Sequence, residues 1–219
     1  MIAKLREGVQ RLQLPLEAAQ LDALEVYIQA ILQFNKSYNL MKAESPDELA
    51  VNHILDSLAA YHAVAGLIAE LRQRTGGDVR MGDIGSGGGC PGIPLAVAFP
   101  DVHITLVERM EKRSAFLEQT VARLRLANVD VCPLQAEKVA PGSFDIVVFR
   151  AFHPFDKKIS ATLRSMLKEG GFIAAYKARS EKIAAEMEAV RDVIPAYKKI
   201  VLTVPFLEDH ERNLVIIQK

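Results

Sequence analysis

V-R-M-G-D-I-G-S-G-G-G-C-P-G-I-P, residues Val79 to Pro94, decides the fold of this chain. The run that ends in Asp83-Ile84 predicts a buried strand, a glycine-rich turn follows, and the apolar segment Ile93 to Phe99 predicts a helix. Residues without a Cβ adopt positive φ freely and let backbone approach a ligand closely, and a helix N-terminus favours anionic groups. The stretch therefore predicts a nucleoside-bearing cofactor at the carboxyl edge of a parallel sheet. Glycine richness alone also fits a purely structural turn.

Composition indicates one large globular domain, or one domain with a helical appendage. The 219 residues are 50% hydrophobic and 25% charged, with a formal net charge of zero. The sequence has no acidic or basic tail that would indicate a nucleic-acid partner, although a local basic face stays possible.

Cys90 and Cys132 fit neither a disulfide framework nor a metal-ligand spacing, so we expect reduced thiols and no metal. Early charges argue against a signal peptide, and the apolar run Ser57 to Ala69 is shorter than the ~20 residues of a membrane helix. We therefore expect a cytoplasmic protein without a membrane partner.

The pattern of the chain changes near residue 75. Before it, Leu21, Leu24 and Ile28 recur at helical spacing, and Ser45-Pro46-Asp47-Glu48 is a helix-start signal with a capping serine. The segment Thr75-Gly76-Gly77-Asp78 then interrupts the helical pattern. We predict an N-terminal helical region over residues 1–74 and a Rossmann-like domain over residues 75–219.

Strands and helices alternate beyond that boundary. Phe144 to Phe149 is an almost continuous apolar run, typical of a central parallel strand, and Pro154 to Lys168 predicts a helix that stops at Gly170-Gly171. The connection between the strands Tyr197 to Val204 and Leu214 to Ile217 is too short for a parallel crossover, so these strands should pair antiparallel. The predicted fold is α/β, with a mostly parallel seven-stranded sheet and an antiparallel C-terminal hairpin. This pattern resembles class I S-adenosylmethionine-dependent methyltransferases, whereas a dehydrogenase-type NAD fold lacks the hairpin.

Three carboxylates are candidates for cofactor contacts. Glu108 ends the second predicted strand of the sheet, where a carboxylate can accept both ribose hydroxyls; each such bond contributes ~1.5–3 kcal/mol. The alternative is a solvated glutamate. Asp83 can orient the amino group of a methionine moiety or brace the glycine turn through backbone N–H groups. Ala136-Glu137 can read an adenine edge through a backbone N–H and a carboxylate, or Glu137 is simply exposed.

Arg150 closes the apolar strand at the same edge. An unpaired charge is costly to bury, so its guanidinium is predicted to hold a cofactor carboxylate or a substrate phosphate. The following R-A-F-H-P lacks the Asn/Asp-Pro-Pro-aromatic pattern of many amine-methylating enzymes. His153 is a candidate base, but a structural histidine at a helix start is the preferred interpretation. His53, Asp56 and Ser57 share a helix face and are interpreted as polar contacts between the two regions.

Several segments together resemble the RsmG family, also known as glucose-inhibited division protein B. They are F-N-K-S-Y-N-L (34–40), H-I-L-D-S-L (53–58), D-I-G-S-G-G-G-C-P-G-I-P (83–94), E-K-R-S-A-F-L (111–117), R-A-F (150–152) and R-N-L-V-I-I-Q-K (212–219). The resemblance implies a bacterial, cytoplasmic enzyme that uses S-adenosylmethionine to methylate N7 of a guanine in small-subunit (16S) ribosomal RNA. It implies cofactor contacts at Gly85, Cys90, Ala136-Glu137 and Arg150. Two positions depart from the family pattern. Cys90 stands where the family usually has a larger apolar residue, and Phe149 stands where it usually has a small one. Phe149 is expected to narrow the pocket floor.

Guanine N7 carries a lone pair and no proton, so its methylation needs alignment and no general base. We therefore expect Arg150 to act by positioning and electrostatics. The complete predicted cofactor set is Asp83, Gly85, Gly87, Gly89, Cys90, Glu108, Ala136, Glu137 and Arg150, and the cations predicted to track RNA phosphates are Arg109, Lys112, Arg113, Lys177 and Arg179. We expect a monomer. Two other functions fit the residues: a class I methyltransferase with a different substrate, and a non-catalytic RNA-binding factor in ribosome assembly.

Overall fold

A seven-stranded sheet forms the centre of the computed structural model, which describes residues 2–43 and 45–219. The strands are β1 (Arg80–Ile84), β2 (His103–Val107), β3 (Val129–Cys132), β4 (Phe144–Arg150), β5 (Leu167–Lys177), β6 (Lys198–Val201) and β7 (Asn213–Gln218). Their order is β3-β2-β1-β4-β5-β7-β6. The first five strands pair parallel, and β7 pairs antiparallel with both β5 and β6. The predicted mostly parallel sheet with an antiparallel terminal hairpin is confirmed.

Nine α-helices occur among the described residues. They are α1 (Ala3–Arg11), α2 (Ala18–Asn35), α3 (Pro46–Leu49), α4 (Asp56–Leu58), α5 (Tyr61–Thr75), α6 (Gly92–Ala98), α7 (Glu111–Leu124), α8 (Lys157–Met166) and α9 (Ser180–Ala189). A π-helical segment, Ala50–Leu55, joins α3 to α4, and Ala136–Lys138 is a short 3-10 helix. The predicted helix start at Ser45 is confirmed, because its side chain accepts a hydrogen bond from the Glu48 N–H at 3.1 Å and Pro46 takes the first helical position.

The run Pro46–Thr75 is, among the described residues, the one helix long and apolar enough to cross a membrane by length and composition. The run includes α3, the π-helical segment, α4 and α5, and it is longer than the apolar segment Ser57 to Ala69 considered from the sequence. Its buried side chains, among them Leu49, Ile54 and Leu58, pack into the protein core. A helix in a protein core satisfies the same length test.

The prediction that α8 stops at Gly170-Gly171 was wrong. Gly170 and Gly171 do not stop the helix; they lie inside β5, which begins at Leu167 directly after α8. The pairing of β4 with β5 shifts register between Phe144 and Ile146, and Gly170 has a φ of +71°. A bulge of this kind needs a residue that tolerates the left-handed region, and glycine does so at little cost.

Helices cover both faces of the sheet. One face packs against the helical region together with α6 and α7, and Leu24, Ile31 and Leu55 share a continuous core there with Ile104 and Ile146. The opposite face packs against α8 and α9 in a second core. The division at residue 74/75 stays a prediction, and the first core extends across it.

Candidate active site at the carboxyl edge of the sheet

The glycine turn after β1 has the backbone that only glycine adopts readily. Gly85, Gly87 and Gly89 have φ values of +70°, +61° and +101°. The N–H groups of Gly85 and Ser86 both donate to the Val107 carbonyl, at 2.9 and 3.0 Å, which fastens the turn to the end of β2. A Cβ on Gly85 would overlap the ring of Phe152. Side chains would therefore block this turn as well as strain it.

Two adjoining cavities lie at this edge. The larger, of about 700 Å³, is lined by the glycine turn, Cys90, Phe149 and Arg150 together with residues of the helical region. The smaller, of about 280 Å³, is lined by Glu108 and by the loop after β3. Gly85, Arg113, Ala151, Phe152 and His153 line both. The Phe152 ring, seated against Gly85, therefore separates two halves of one cleft. Phe149 lines the larger half, and the narrowing of the pocket floor expected from it stays a prediction.

Glu108 braces the glycine turn with its carboxylate. The side chain is 5% exposed, and Oε2 accepts from the Gly87 N–H at 2.9 Å while Oε1 accepts from the Met110 N–H at 2.9 Å. Each carboxylate oxygen retains a second lone pair. Glu108 can therefore stabilise the turn and accept a hydroxyl group from the smaller cavity, and its contact with a ribose stays a prediction.

Asp83 braces the same turn from the interior. Its Oδ2 accepts from the Ser86 hydroxyl at 2.7 Å and from the Gly92 N–H at 3.0 Å. Its Oδ1 is buried with no hydrogen-bond partner among the described residues, and burial raises the pKa of this carboxyl to about 6. Of the two alternatives from the sequence, the geometry favours bracing over direct contact with a methionine amino group. The Gly92 N–H at the start of α6 is thereby used internally.

The loop after β3 comes to the same cleft as Glu108. Ala136 is buried at the start of the 3-10 helix, Glu137 is exposed, and both line the smaller cavity. The structure thus brings together the three residues predicted to contact the nucleoside half of a cofactor.

Arg150 has partners that the sequence did not predict. Its Nη1 donates to Asp56 Oδ2 at 2.7 Å and to the Asn52 carbonyl at 3.0 Å, and its Nη2 donates to His53 Nδ1 at 2.9 Å. Asp56 also accepts at Oδ1 from Arg212 Nε at 2.8 Å. The buried charge of Arg150 is therefore matched by a carboxylate of the protein itself, while the side chain still lines the larger cavity.

The interpretation of His53, Asp56 and Ser57 as contacts between the two regions is confirmed. Besides the bonds to Arg150, the Tyr176 hydroxyl of β5 donates to the Ser57 carbonyl at 2.8 Å. Burial, and then the Arg150 charge, lower the pKa of His53, so the ring is neutral and its Nδ1 is an acceptor.

Tyr27 of α2 also reaches the glycine turn. Its hydroxyl donates to the Gly88 carbonyl at 2.6 Å and lies 3.4 Å from Cys90 Sγ. Burial raises the pKa of the Cys90 thiol, which keeps it protonated and unreactive. Sequence periodicity places Tyr27 on the buried face of a helix, but nothing local shows that it supports a turn 61 residues away.

The interpretation of His153 as a helix-start residue was wrong. Helix α8 begins at Lys157, and Asp156 is its cap, accepting from the Ile159 N–H at 2.7 Å. An aspartate side chain is a favourable N-cap, so the helix starts at Lys157, later than the start at Pro154 that the sequence predicted. His153 is instead an exposed loop residue with its ring edge-on to Phe152, at a centroid distance of 4.8 Å.

The predicted RNA-contacting cations fall into two groups. Arg109, Lys112 and Arg179 are exposed, and Arg113 is half-buried between the two cavities. Lys177 differs, because its Nζ donates to Glu186 at 2.6 Å and its side chain is 13% exposed. An ion-paired, mostly buried lysine is a poor phosphate contact, so the geometry does not favour the role predicted for Lys177.

The cleft fits S-adenosylmethionine. The turn offers backbone without side chains, and the buried Glu108 carboxylate borders the smaller half of the cleft, where it could accept the hydroxyls of a ribose. Within residues 2–43 and 45–219, no group of three or more His, Cys, Asp or Glu side chains is arranged to hold a metal ion.

The strand order, the glycine turn after β1 and the acidic residue after β2 define a class I methyltransferase fold. The crystal structure of a methyltransferase from Pyrococcus furiosus has the same fold, with a TM-score of 0.60 at 17% identity, over 89% of this chain and 97% of that one. The chain belongs to the GidB family, described as rRNA small subunit methyltransferase G, whose profile matches residues 20–215. It is thus an S-adenosylmethionine-dependent methyltransferase, as the resemblance predicted.

Curated relatives match nearly the whole chain. The ribosomal RNA small subunit methyltransferase G of Treponema denticola is 38% identical over 217 residues, covering 90% of this chain and 85% of the relative. The protein of the same name from Neisseria meningitidis serogroup B is 36% identical over 216 residues, covering 99% and 97%. The similarity therefore includes the helical region as well as the sheet.

Proposed function

We propose that this protein transfers a methyl group from S-adenosylmethionine to N7 of a guanine in small-subunit ribosomal RNA. The observation that carries the proposal is the family match over residues 20–215, because it spans both the cofactor cleft and the helices that complete it. Curated relatives named for this substrate align over the same length.

The cleft suits a reaction that needs no proton transfer. When bound, the cofactor supplies an electrophilic methyl group on a sulfonium, and guanine N7 offers a lone pair without a proton. The groups around the larger cavity agree with this requirement, because His53 Nδ1 is already engaged by Arg150 and the Cys90 thiol is held protonated. The protein's contribution is to align the two reactants and exclude water.

The target base must be accessible to the larger cavity. N7 lies on the major-groove edge, which side chains cannot reach in A-form RNA. The base therefore has to be in a loop or turned out of its stack. A cavity of about 700 Å³ with the partly exposed Phe152 ring in its wall offers room and a stacking surface for one base.

In vitro methylation tests the substrate and the atom together. Small ribosomal subunits, and RNA extracted from them, are prepared from a strain that lacks the enzyme and are incubated with protein and tritiated cofactor. We expect label in 7-methylguanosine after nuclease digestion and mass spectrometry, and aniline-induced strand cleavage at one site. Label in another nucleoside or in protein would contradict the proposal and favour a different substrate. No transfer and no cofactor binding by calorimetry would favour the non-catalytic assembly factor.

We also infer that the protein acts as a monomer in the cytoplasm, where ribosomal subunits are assembled. Residues of one chain supply the glycine turn, Glu108, Arg150 and the helical-region residues that line both cavities. Light scattering of the protein with and without cofactor tests this, and a dimer mass would contradict it.

A further inference from the structure

Arg212 is a cation of the larger cavity that the sequence analysis did not include in the site. It precedes β7, lines the cavity, and its side chain is 28% exposed. Its Nε donates to Asp56 at 2.8 Å and its Nη1 donates to the Glu211 carbonyl at 3.0 Å. Its Nη2 makes no hydrogen bond to any described part of the chain. The guanidinium is thus fixed at one end and free at the other.

The charges around Asp56 do not balance. One buried carboxylate serves two guanidinium groups, those of Arg150 and Arg212. The nearby carboxylate of Glu211 is bonded to Ser180 and Asn213 at the exposed side of the chain. The wall of the cavity therefore carries one excess positive charge beside Asp56, which is suited to an anion from outside the protein.

Strand register places Arg212 on the substrate side of the cleft. Arg150 pairs with Tyr176, which pairs with Leu214, so the start of antiparallel β7 meets the carboxyl end of β4 at one edge. β1 and β7 are three strand positions apart, which is about 14 Å at the usual spacing. The nucleoside-side residues Glu108 and Glu137 lie toward β2 and β3, in the opposite direction. An anion at Arg212 is thus remote from the nucleoside half of the cofactor.

We propose that Arg212 binds a backbone phosphate of the RNA next to the target guanine, and that Asp56 is the positioning residue that orients it. The inference rests on the proposed function, because it takes RNA as the substrate. The arginine guanidinium suits this arrangement, since Nε holds the Asp56 carboxylate while Nη2 is available to a phosphate oxygen.

The salt dependence of methylation is the test. Initial rates at subsaturating substrate are measured from 50 to 200 mM KCl on isolated small subunits or on deproteinised RNA, whichever the wild-type protein methylates faster. Arg212→Gln is the test variant, because Asp56 keeps its bond to Arg150 and the fold is maintained. Arg191→Gln, an exposed arginine beyond α9 and outside the cavity, is the matched control. Calorimetry gives the cofactor affinity of each variant.

For Arg212→Gln we expect kcat/KM for RNA to fall about tenfold and the log–log salt slope to decrease by about one, with cofactor affinity within twofold of wild type. Arg212→Lys should recover part of the slope, because the charge returns without the fixed orientation. An unchanged slope overturns the inference. If the cofactor affinity also falls strongly in that case, the anion bound by Arg212 is the cofactor carboxylate. Failure of the wild-type protein to methylate RNA at all would instead overturn the proposed function.

Discussion

Replacing Asp56 by asparagine should destabilise the protein more than any surface charge substitution. Asp56 is buried and its two oxygens each accept a charge-assisted bond, from Arg150 at 2.7 Å and from Arg212 at 2.8 Å. Asparagine has one acceptor oxygen, so one guanidinium would face an amide donor and the other would lose its counter-charge.

The magnitude follows from the burial of the three partners. Breaking a buried ion pair by removing one member costs about 3–5 kcal/mol. The arginine side chains are 17% and 28% exposed, so water compensates part of the loss and the lower end applies, about 3 kcal/mol. For a chain of this size each kcal/mol lowers Tm by about 2–4 °C, which gives a decrease of about 6–12 °C.

Urea denaturation followed by circular dichroism measures the free energy of unfolding, and scanning calorimetry measures Tm. The matched control is Asp130→Asn, which removes a carboxylate 2.8 Å from His103 that is 71% exposed and should change stability by less than about 0.5 kcal/mol. Because the Asp56 pair is buried, raising the salt concentration should not abolish the difference. If Asp56→Asn lowers the free energy of unfolding by less than about 1 kcal/mol, the reasoning that this carboxylate stabilises both arginines is refuted.

Three further outcomes are expected. Arg150→Ala should reduce methyl transfer below detection in a tritiated-methyl assay while the circular dichroism spectrum stays native, because Asp56 keeps Arg212; full activity would contradict this. His153→Ala should keep most activity, because N7 needs no base, whereas a thousand-fold loss would revive a general-base mechanism. Asp83 has a pKa raised from 3.8 to about 6 by burial, so its protonated form stabilises the fold at low pH and that contribution is lost as the pH rises through about 6. The stability of Asp83→Asn relative to wild type should therefore increase by up to ~3 kcal/mol between pH 4 and pH 7 in urea titrations, and a flat difference would count against the buried-carboxyl account.

Local patterns in the sequence were sufficient for the framework of the site. The glycine turn, the apolar run of β4 and the short connection before β7 each carry their signal within a few residues, so the parallel sheet and its antiparallel terminal hairpin followed from them. The same holds for Glu108 and for Ala136-Glu137, because residues that end neighbouring parallel strands meet at one edge of the sheet.

Contacts between distant segments could not be obtained in this way. Asp56 and Arg212 are 156 residues apart, and no periodicity connects an acidic residue on a helix to an arginine before the last strand. The errors at Gly170 and His153 have a different origin. In each case two local signals competed. At Gly170 a helix stop competed with a bulge, and near His153 a helix start at Pro154 competed with one capped by Asp156; tertiary packing sets their relative strength.

The shared core has a consequence for anyone who tries to shorten this protein. A fragment starting near residue 75 would keep every strand yet lose Leu24, Ile31 and Leu55, which share one core with Ile104 and Ile146. The apolar surface exposed in this way would promote aggregation during expression. The glycine turn would also lose the hydrogen bond from the Tyr27 hydroxyl to the Gly88 carbonyl. Recombinant work aimed at a minimal catalytic unit should therefore retain α1 through α5 with the sheet.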